Sequence, residues 1–483
     1  MRDRTGPAAL HRVPGADWNS LGYPDTAPSM SFDRFLAWLL LVGVALLACL
    51  MPAHNDTWWH LRAGYEMIAS RSVVLTDTFS HTVQGGHWPN YEWLGEVVFA
   101  AAHRLGGMPL LTGLCAAAVT AGVAFVYTSM QDRGLLTPLL LAAIAGGATH
   151  TWSVRPQAFS LFLLGLTLWL TTSGRWRWLP LVFLIWANLH GAVAYGGVVL
   201  AGMLAGHLWH ARRIPRELVL VAVLCGVATL FTPLGVWYWW EVAESIQRSR
   251  INEIAEWRRP NLPPDHLVFW AMALALPAAL VLRHRSLETP EGRGVVCAAL
   301  LFLPLAATTM RNITPYLMVA AAAMTFLIPP ERRRRAPRTE RTLSNVLIVS
   351  GAAASAAFVV FQAWRDRIDG PEWQPLPREA AAAIEACRPN LYNRYEDGGP
   401  IIFFAPAQKV LLDSRQDPYP TTLVQQQSDA ERTGEYEGLF DERAIDCAAT
   451  TPASPLASRL AGDGWIKRYE DRRWIVLERP HGS

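Results

Sequence analysis

Asn55-Asp56-Thr57-Trp58-Trp59-His60-Leu61-Arg62 follows directly on the first long apolar run of the chain, residues 35–52. This order places a carboxylate where a membrane helix would end and water would begin. Asp56 and His60 are four residues apart, so in a helix their side chains share one face. The stretch therefore predicts the floor of an active site at the outer membrane face. The alternative is that Asp56 only caps a helix.

The composition is typical of a protein that crosses a membrane several times. The chain has 483 residues, of which 51% are hydrophobic and only 17% are charged, whereas soluble proteins are about 25% charged. Its apolar residues form long uncharged runs, and its 21 Trp suit a large membrane interface. The net charge of +3 gives no indication of a nucleic-acid partner. Because a long polar segment precedes the first apolar run, we expect no cleavable signal peptide.

The apolar runs predict a mainly α-helical membrane domain, residues 35–364, with about eleven spans. These spans are 35–52, 109–129, 135–149, 157–172, 178–189, 192–209, 217–234, 266–283, 294–309, 312–329 and 343–363. The short ones would be tolerated beside a water-filled cavity. All predicted inner loops contain arginine, and the last contains Arg332–Arg335. The positive-inside rule then places the N-terminus, with a disordered tail at residues 1–34, in the cytoplasm and the C-terminus outside.

The first outer loop, residues 53–108, is predicted to contain two amphipathic helices. The first covers residues 56–69. The second, residues 91–105, is short and charged at its start, so we expect it to lie in the membrane interface, with a short true span as the alternative.

Residues 365–483 are soluble in character and predict a small extracytoplasmic α/β domain. The pattern indicates a helix at 378–387 and strands at 401–404, 409–412, 466–469 and 474–477. Cys387 and Cys447 both lie here, and an oxidising compartment would allow them to form a disulfide. The segment Leu412–Tyr419 follows a predicted strand, where binding loops often occur, although a salt-bridged turn is the favoured interpretation.

The predicted topology also gathers ionisable residues on the outer face. Such side chains at membrane depth are costly and indicate function by default, although snorkelling or helix capping is the alternative for each of them. With Asp56 and His60, the set contains His150, Arg155, His190, Glu241, Glu253, Glu256, Arg258, Arg259 and Arg311.

Asp56–Arg62 resembles the Asp-Pro-Trp-Tyr-His-Leu-Arg type of segment in the first outer loop of oligosaccharyltransferase catalytic subunits. The layout of the whole chain resembles the C-type membrane glycosyltransferase superfamily. It is also similar to a large group of bacterial membrane proteins that share an Asp-x-Trp-Trp-His-Leu-Arg-x-Gly start. Thr57 stands where those oligosaccharyltransferases have proline, and their Trp-Trp-Asp-Tyr-Gly motif is absent, Trp239–Val242 being no substitute. Transfer of a whole glycan to asparagine is therefore not favoured.

The resemblance implies a polyprenyl-phosphate sugar donor, a membrane-lipid environment and a bacterial inner-membrane location. Asp56 matches the catalytic or metal-binding aspartate, and Asp77 or Glu92 is the candidate for an assisting acid. Such acids deprotonate or orient the acceptor hydroxyl. Asp56 with His60 could also hold a divalent cation, Mg²⁺ or Mn²⁺. The candidates for binding the donor phosphate are Arg311 and Arg155, with His60, His190 and Arg258.

Two other functions stay open at this point. A lipid-linked glycan transporter or flippase would need a route through the bilayer and inverted repeats, and no such repeat is evident. A non-enzymatic assembly protein of cell-envelope polysaccharide synthesis would need no cavity beside Asp56. The sequence identifies neither the sugar, nor the acceptor, nor the oligomeric state.

Overall fold

The computed structural model describes residues 32–252, 254–329, 342–387 and 389–480. Most of the predicted N-terminal tail and the arginine run Arg332–Arg335 lie outside these described residues. Ahead of the C-terminal region, the described part contains the α-helices α1 (Phe32–Cys49), α2 (Asn55–Ser70), α3 (Trp93–Ser129), α4 (Leu136–Ala148), α5 (Gln157–Thr172), α6 (Leu179–Leu189), α7 (Ala194–Ala211), α8 (Arg216–Ala228), α9 (Tyr238–Ile251), α10 (Leu267–Arg283), α11 (Pro290–Thr308), α12 (Ile313–Leu327) and α13 (Thr342–Ile368).

Each predicted span coincides with one of these helices, while α2 and α9 lie between spans. Six of the described helices, α1, α3, α7, α10, α11 and α13, are long and apolar enough to cross a membrane. The apolar helices α4, α5, α6, α8 and α12 have between 11 and 16 residues. The architecture is that of a polytopic membrane protein.

Small residues allow α7 and α11 to pack closely. Gly202 and Gly206 of α7 face Ala298 and Gly294 of α11, four residues apart on each helix. A Cβ atom added at Gly206 would overlap the backbone of Gly294. This is the small-xxx-small arrangement by which membrane helices approach, since lipid provides no hydrophobic drive between them.

Helix α2 begins almost immediately after α1 and is capped by a residue that the sequence did not indicate. His54 is the N-cap residue: its Nδ1 lies 3.3 Å from the backbone nitrogen of Asp56, and its own N–H donates to Thr57 Oγ1 over 2.9 Å. Asp56 lies in the first turn, so the interpretation of Asp56 as the N-cap residue is wrong. Its carboxylate is available for other contacts.

The second helix predicted in the first loop is the beginning of α3. Gly106 and Gly107 have non-helical backbone angles, with φ of +62° at Gly107, and they kink the helix between residues 91–105 and the next span. Glu96 and Phe99 on this first part are buried, and α2 packs against it. The segment is therefore part of the protein interior as well as of the loop.

The C-terminal region forms a four-stranded sheet with helices around it. Its elements are α14 (Arg378–Glu385), β1 (Leu391–Asn393), α15 (Gly398–Phe404), α16 (Thr421–Thr433), α17 (Glu437–Glu442), β2 (Cys447–Thr450), α18 (Pro455–Gly462), β3 (Ile466–Glu470) and β4 (Ile475–Glu478). The strand order is β1-β2-β4-β3; β1 and β2 are parallel and the other pairs antiparallel. A disulfide joins Cys387 to Cys447, whose Cα atoms are 5.8 Å apart.

Two strand predictions in this region are confirmed and two are wrong. Strands were correctly predicted at 466–469 and 474–477. Residues 401–404 instead belong to helix α15, and Val410 forms only an isolated bridge with Ser80. A short apolar run of this kind does not distinguish a buried helix from a strand.

The C-terminal region shares a hydrophobic core with the first loop. Trp59, Phe79 and Trp88 of the loop pack in one buried cluster with Ile401 and Val410. This shared core holds the C-terminal region against the start of α2, where Asp56 lies.

We expect Gly206→Leu to destabilise the α7–α11 contact, because overpacking a tight interface costs about 1–3 kcal/mol or more. Gly226→Leu in α8 is the matched control, since no atom lies within 4 Å of a Cβ added there. The measurement is the thermal unfolding midpoint in detergent. Equal midpoints for both variants would contradict the close packing.

Candidate functional site

A cavity of about 710 Å³ lies where the first loop, the ends of the membrane helices and the C-terminal region meet. Its size is within the usual range of ligand sites, roughly 300–1,000 Å³. Most of the predicted site residues line it: Asp56, His60, Glu92, Arg155, His190, Arg258 and Arg311.

Asp56 is held by groups from distant parts of the sequence. Its Oδ2 lies 3.1 Å from Arg155 Nη1, and its Oδ1 accepts a hydrogen bond from the Ser414 hydroxyl. His54 Nδ1 is 3.2 Å away. Burial alone would raise the pKa of Asp56, but His54 and then Arg155 outweigh it and hold that pKa well below its usual value. The carboxylate is therefore ionised and fixed in orientation.

Arg155 is the centre of a row of alternating charges. It lies in the turn before α5, where its Nε donates to Ser153 Oγ over 2.8 Å. Its Nη1 and Nη2 donate to two different carboxylates, those of Asp56 and Glu256. Since both carboxylates already engage it, the structure does not support the predicted role of Arg155 as a phosphate ligand. It is better described as a positioning residue.

Arg311 is the more accessible cation in the same row. It lies in the 3₁₀ turn before α12, and its Nη1 is 3.7 Å from Glu256. Its guanidinium lies 5.5 Å from the ring centroid of Trp257. The Arg311 side chain is 23% exposed, against 9% for Arg155, so Arg311 is better placed to meet an anion from the cavity.

Arg258 is brought beside this turn by the backbone. The Met310 N–H donates to the Arg258 carbonyl over 2.9 Å. The Arg258 side chain is exposed and lines the cavity. Two of the predicted phosphate-binding arginines, Arg258 and Arg311, thus come from adjoining segments.

Glu92 lies between two histidines. Its Oε1 is 3.3 Å from His190 Nε2, and its Oε2 is 3.6 Å from His60 Nε2. Burial raises the pKa of Glu92 to about 8, although Arg311 opposes this shift. Glu92 is therefore mostly protonated at neutral pH and ionises as the pH rises through about 8.

His190 links Glu92 and Arg311 to the turn before α7. Its Nδ1 faces the Ser160 hydroxyl at 2.8 Å and accepts from the Ala192 N–H at 3.2 Å. Its Nε2 lies 3.1 Å from Arg311 Nη2, which can only donate, and 3.3 Å from Glu92 Oε1. Burial holds the pKa of His190 well below its usual value, so the ring is neutral.

His60 is also neutral, because burial lowers its pKa to about 3. Its Nδ1 lies 3.2 Å from Glu96, and the ring is almost fully buried. Neither His60 nor His190 therefore supplies a positive charge to a donor phosphate, and each could meet it only through a neutral ring N–H.

Asp77 does not belong to the cavity, contrary to the prediction that it assists Asp56. Its carboxylate is fully buried, pairs with Arg415 and accepts from the Ser80 hydroxyl at 2.7 Å. Arg415 also binds Asp413 at 2.7 Å, within the C-terminal region. The role of Asp77 is to tie the first loop to the segment that carries Ser414.

The predicted pairing of Asp56 and His60 around a metal ion does not fit the donor set. Across the described ranges, no group of three or more His, Cys, Asp or Glu side chains could hold a metal ion. Asp56 faces an arginine, while His60 is directed at Glu92 and Glu96. A cation at Asp56 would have to displace Arg155.

The segment 412–419 contributes to the site in a way that the turn interpretation missed. Asp413 and Arg415 form the expected salt bridge, but Ser414 and Asp417 line the cavity. Tyr91 Oη lies 3.2 Å from Asp417 and 2.9 Å from Ser245 Oγ. Burial raises the pKa of Asp417 to about 6. The sequence offered one indication of this role, since the polar segment 412–419 directly follows an apolar run.

Solved structures share this architecture, although no family model and no curated protein matches the sequence. One is the oligosaccharyltransferase AglB from Archaeoglobus fulgidus in complex with an inhibitory peptide and a dolichol-phosphate, with 12% identity, a TM-score of 0.55, and coverage of 87% of this chain and 70% of AglB. Another is ArnT from Cupriavidus metallidurans bound to undecaprenyl phosphate, with 12% identity, a TM-score of 0.51, and coverage of 93% and 98%. This chain shares the fold of these two structures. The predicted fold class and membrane location are confirmed.

We expect Arg415→Ala to lower the stability of the protein strongly. It would leave Asp77 and Asp413 buried without their cation, and breaking a buried pair costs about 3–5 kcal/mol. Arg432→Ala is the control, because the Arg432–Asp429 pair is exposed and such pairs contribute little. Thermal unfolding in detergent is the measurement. A midpoint unchanged by Arg415→Ala would refute the tie between loop and C-terminal region.

Proposed function

We propose that the protein is a membrane glycosyltransferase that transfers a sugar from a polyprenyl-phosphate donor to an extracytoplasmic acceptor, a glycan, lipid or protein, in the bacterial inner membrane. The observation that carries the proposal is the cavity itself. In it an ionised carboxylate, Asp56, and an accessible cation, Arg311, lie at the ends of membrane helices. We also propose that the N-terminus is cytoplasmic and that the C-terminal domain, residues 365–483, is extracytoplasmic.

The donor would enter with its phosphate beside Arg311. AglB and ArnT, which share the fold, have structures with dolichol-phosphate and undecaprenyl phosphate, so a polyprenyl-phosphate carrier is the donor class that we assign. Arginine suits a departing phosphate because its N–H groups match phosphate oxygens and its charge is permanent. Arg258, from the adjoining segment, would share this role.

The acceptor hydroxyl needs a group to orient it and a group to take its proton. Asp56 has a pKa well below its usual value, which makes it a weak base but a permanent hydrogen-bond acceptor. The pKa of Glu92 is about 8, which is far better matched to proton transfer near neutral pH. We therefore assign orientation of the acceptor to Asp56 and proton removal to Glu92.

The two other functions considered from the sequence are less well supported. An assembly protein without enzymatic activity gives no reason for a cavity of this size beside buried, ionised groups. A flippase needs a continuous polar path, whereas Arg155 is paired with both Asp56 and Glu256 within the site.

We expect Asp56→Asn to reduce sugar transfer by on the order of 100-fold or more, as for loss of a group that acts in proton transfer or orientation. The assay uses purified protein in nanodiscs, radiolabelled undecaprenyl-phosphate hexoses and pentoses, and an envelope extract as acceptor. Asp429→Asn, in an exposed pair of the C-terminal region, is the control and should keep full activity. Full activity of Asp56→Asn would rule out the assignment.

The pH profile tests Glu92. Because its pKa is raised to about 8, the ionised base is scarce at neutral pH, and the transfer rate should rise with pH until it levels above about 8. Glu92→Gln should be slow at every pH and lack this rise. A wild-type profile without the rise, or a Glu92→Gln variant that retains it, would show that another group takes the proton.

A further inference from the structure

Arg155 lies between two carboxylates, a position that a metal ion could occupy in a site built from the same groups. Divalent cations at phosphate-handling sites are commonly held by one or two carboxylates. Here Asp56 and Glu256 come from the first loop and from the loop after α9. Asp56 Oδ2 and Glu256 Oε1 both bind the Arg155 guanidinium, which lies between the two carboxylates.

The geometry of Arg155 is that of a fixed component. Its Nη1 and Nη2 each serve a different carboxylate, and its Nε donates to Ser153. The side chain is 9% exposed. Arginine stays protonated in proteins, and its planar fork can bind two acceptors at once. Unlike a metal ion, this guanidinium is covalently attached to the chain and does not exchange with solvent.

The charges of the row balance without any metal. Two anions, Asp56 and Glu256, alternate with two cations, Arg155 and Arg311. A divalent cation added between the two carboxylates would place two further positive charges beside a buried guanidinium. Like charges in such a setting repel strongly, because the low dielectric of the interior strengthens every Coulomb interaction.

We propose that Arg155 is a built-in cation that replaces a divalent metal ion between Asp56 and Glu256, so that this centre works without a metal. The inference rests on the proposed function only for its consequence in catalysis. That Arg155 occupies a latent metal site can be tested without knowing the sugar donor.

The experiment titrates purified full-length protein with Mn²⁺ and follows bound metal by electron paramagnetic resonance. Wild-type protein should bind no Mn²⁺ that depends on Asp56. Arg155→Ala frees both carboxylates and should bind Mn²⁺ at least ~10-fold more tightly than wild type. The gain should disappear in Arg155→Ala/Glu256→Gln. Arg250→Ala, which removes an exposed cation from the cavity lining, is the control and should give no gain.

Two outcomes would overturn the proposal. One is Mn²⁺ binding by wild-type protein that Asp56→Asn abolishes. The other is an Arg155→Ala protein that folds and binds Mn²⁺ no better than wild type. If Arg155→Ala does not fold, Arg155→Gln gives the same test, because its neutral amide fills part of the space without supplying a cation between the two carboxylates, and the wild-type comparison with Asp56→Asn still decides.

A separate arm adds EDTA to the transfer assay. Unchanged transfer supports a metal-free centre, and loss of transfer restored by Mn²⁺ opposes it. If no donor is turned over at all, the proposed function fails while the Mn²⁺ titration still gives its own answer. The two failures are therefore distinguishable.

Discussion

The contact of Asp56 with Arg155 and Ser414 requires three parts of the chain to be in place at once. Asp56 belongs to the first loop, Arg155 to the turn before α5, and Ser414 to the C-terminal region. A buried carboxylate without its cation costs several kcal/mol. The ion pair therefore links assembly of the membrane helices, the loop and the C-terminal region to a single arrangement, which is also the arrangement that forms the cavity.

The second buried ion group, Asp77–Arg415–Asp413, explains how Ser414 is delivered to that contact. Along the segment 413–415 the side chains alternate. Asp413 and Arg415 are buried and pair with each other, and Arg415 also binds Asp77, while Ser414 lies between them in the chain and faces Asp56. Fixing both neighbours leaves Ser414 little freedom to turn away. A carboxylate held in this way is oriented before any ligand arrives, as electrostatic preorganisation requires.

The sequence predicted the parts of this fold that depend on local pattern. Long apolar runs located the spans, and the boundary position of Asp56 located the cavity. It misassigned Asp77 and overlooked Ser414 because their partners are hundreds of residues away: Arg415 is 338 positions from Asp77, and Ser414 is 358 from Asp56. An acidic residue in a polar loop has the same local pattern whether it faces a cavity or a buried arginine. Only the tertiary structure shows that Asp77 pairs with buried Arg415 whereas Glu92 lines the cavity.

Asp56 and Glu92 line the same cavity, yet their surroundings drive their pKa values in opposite directions. Both side chains are mostly withdrawn from water, 16% and 15% exposed, and this disfavours the charged form of each. Asp56 has His54 and Arg155 close by, which outweigh burial, whereas Glu92 faces two neutral imidazoles. Two carboxylates whose pKa values differ in this way can have different roles at one pH. Because the split is set by neighbours, moving Arg155 away from Asp56 would reduce the difference between the two acids. The positioning role of Arg155 therefore extends to the division of labour that we propose between them.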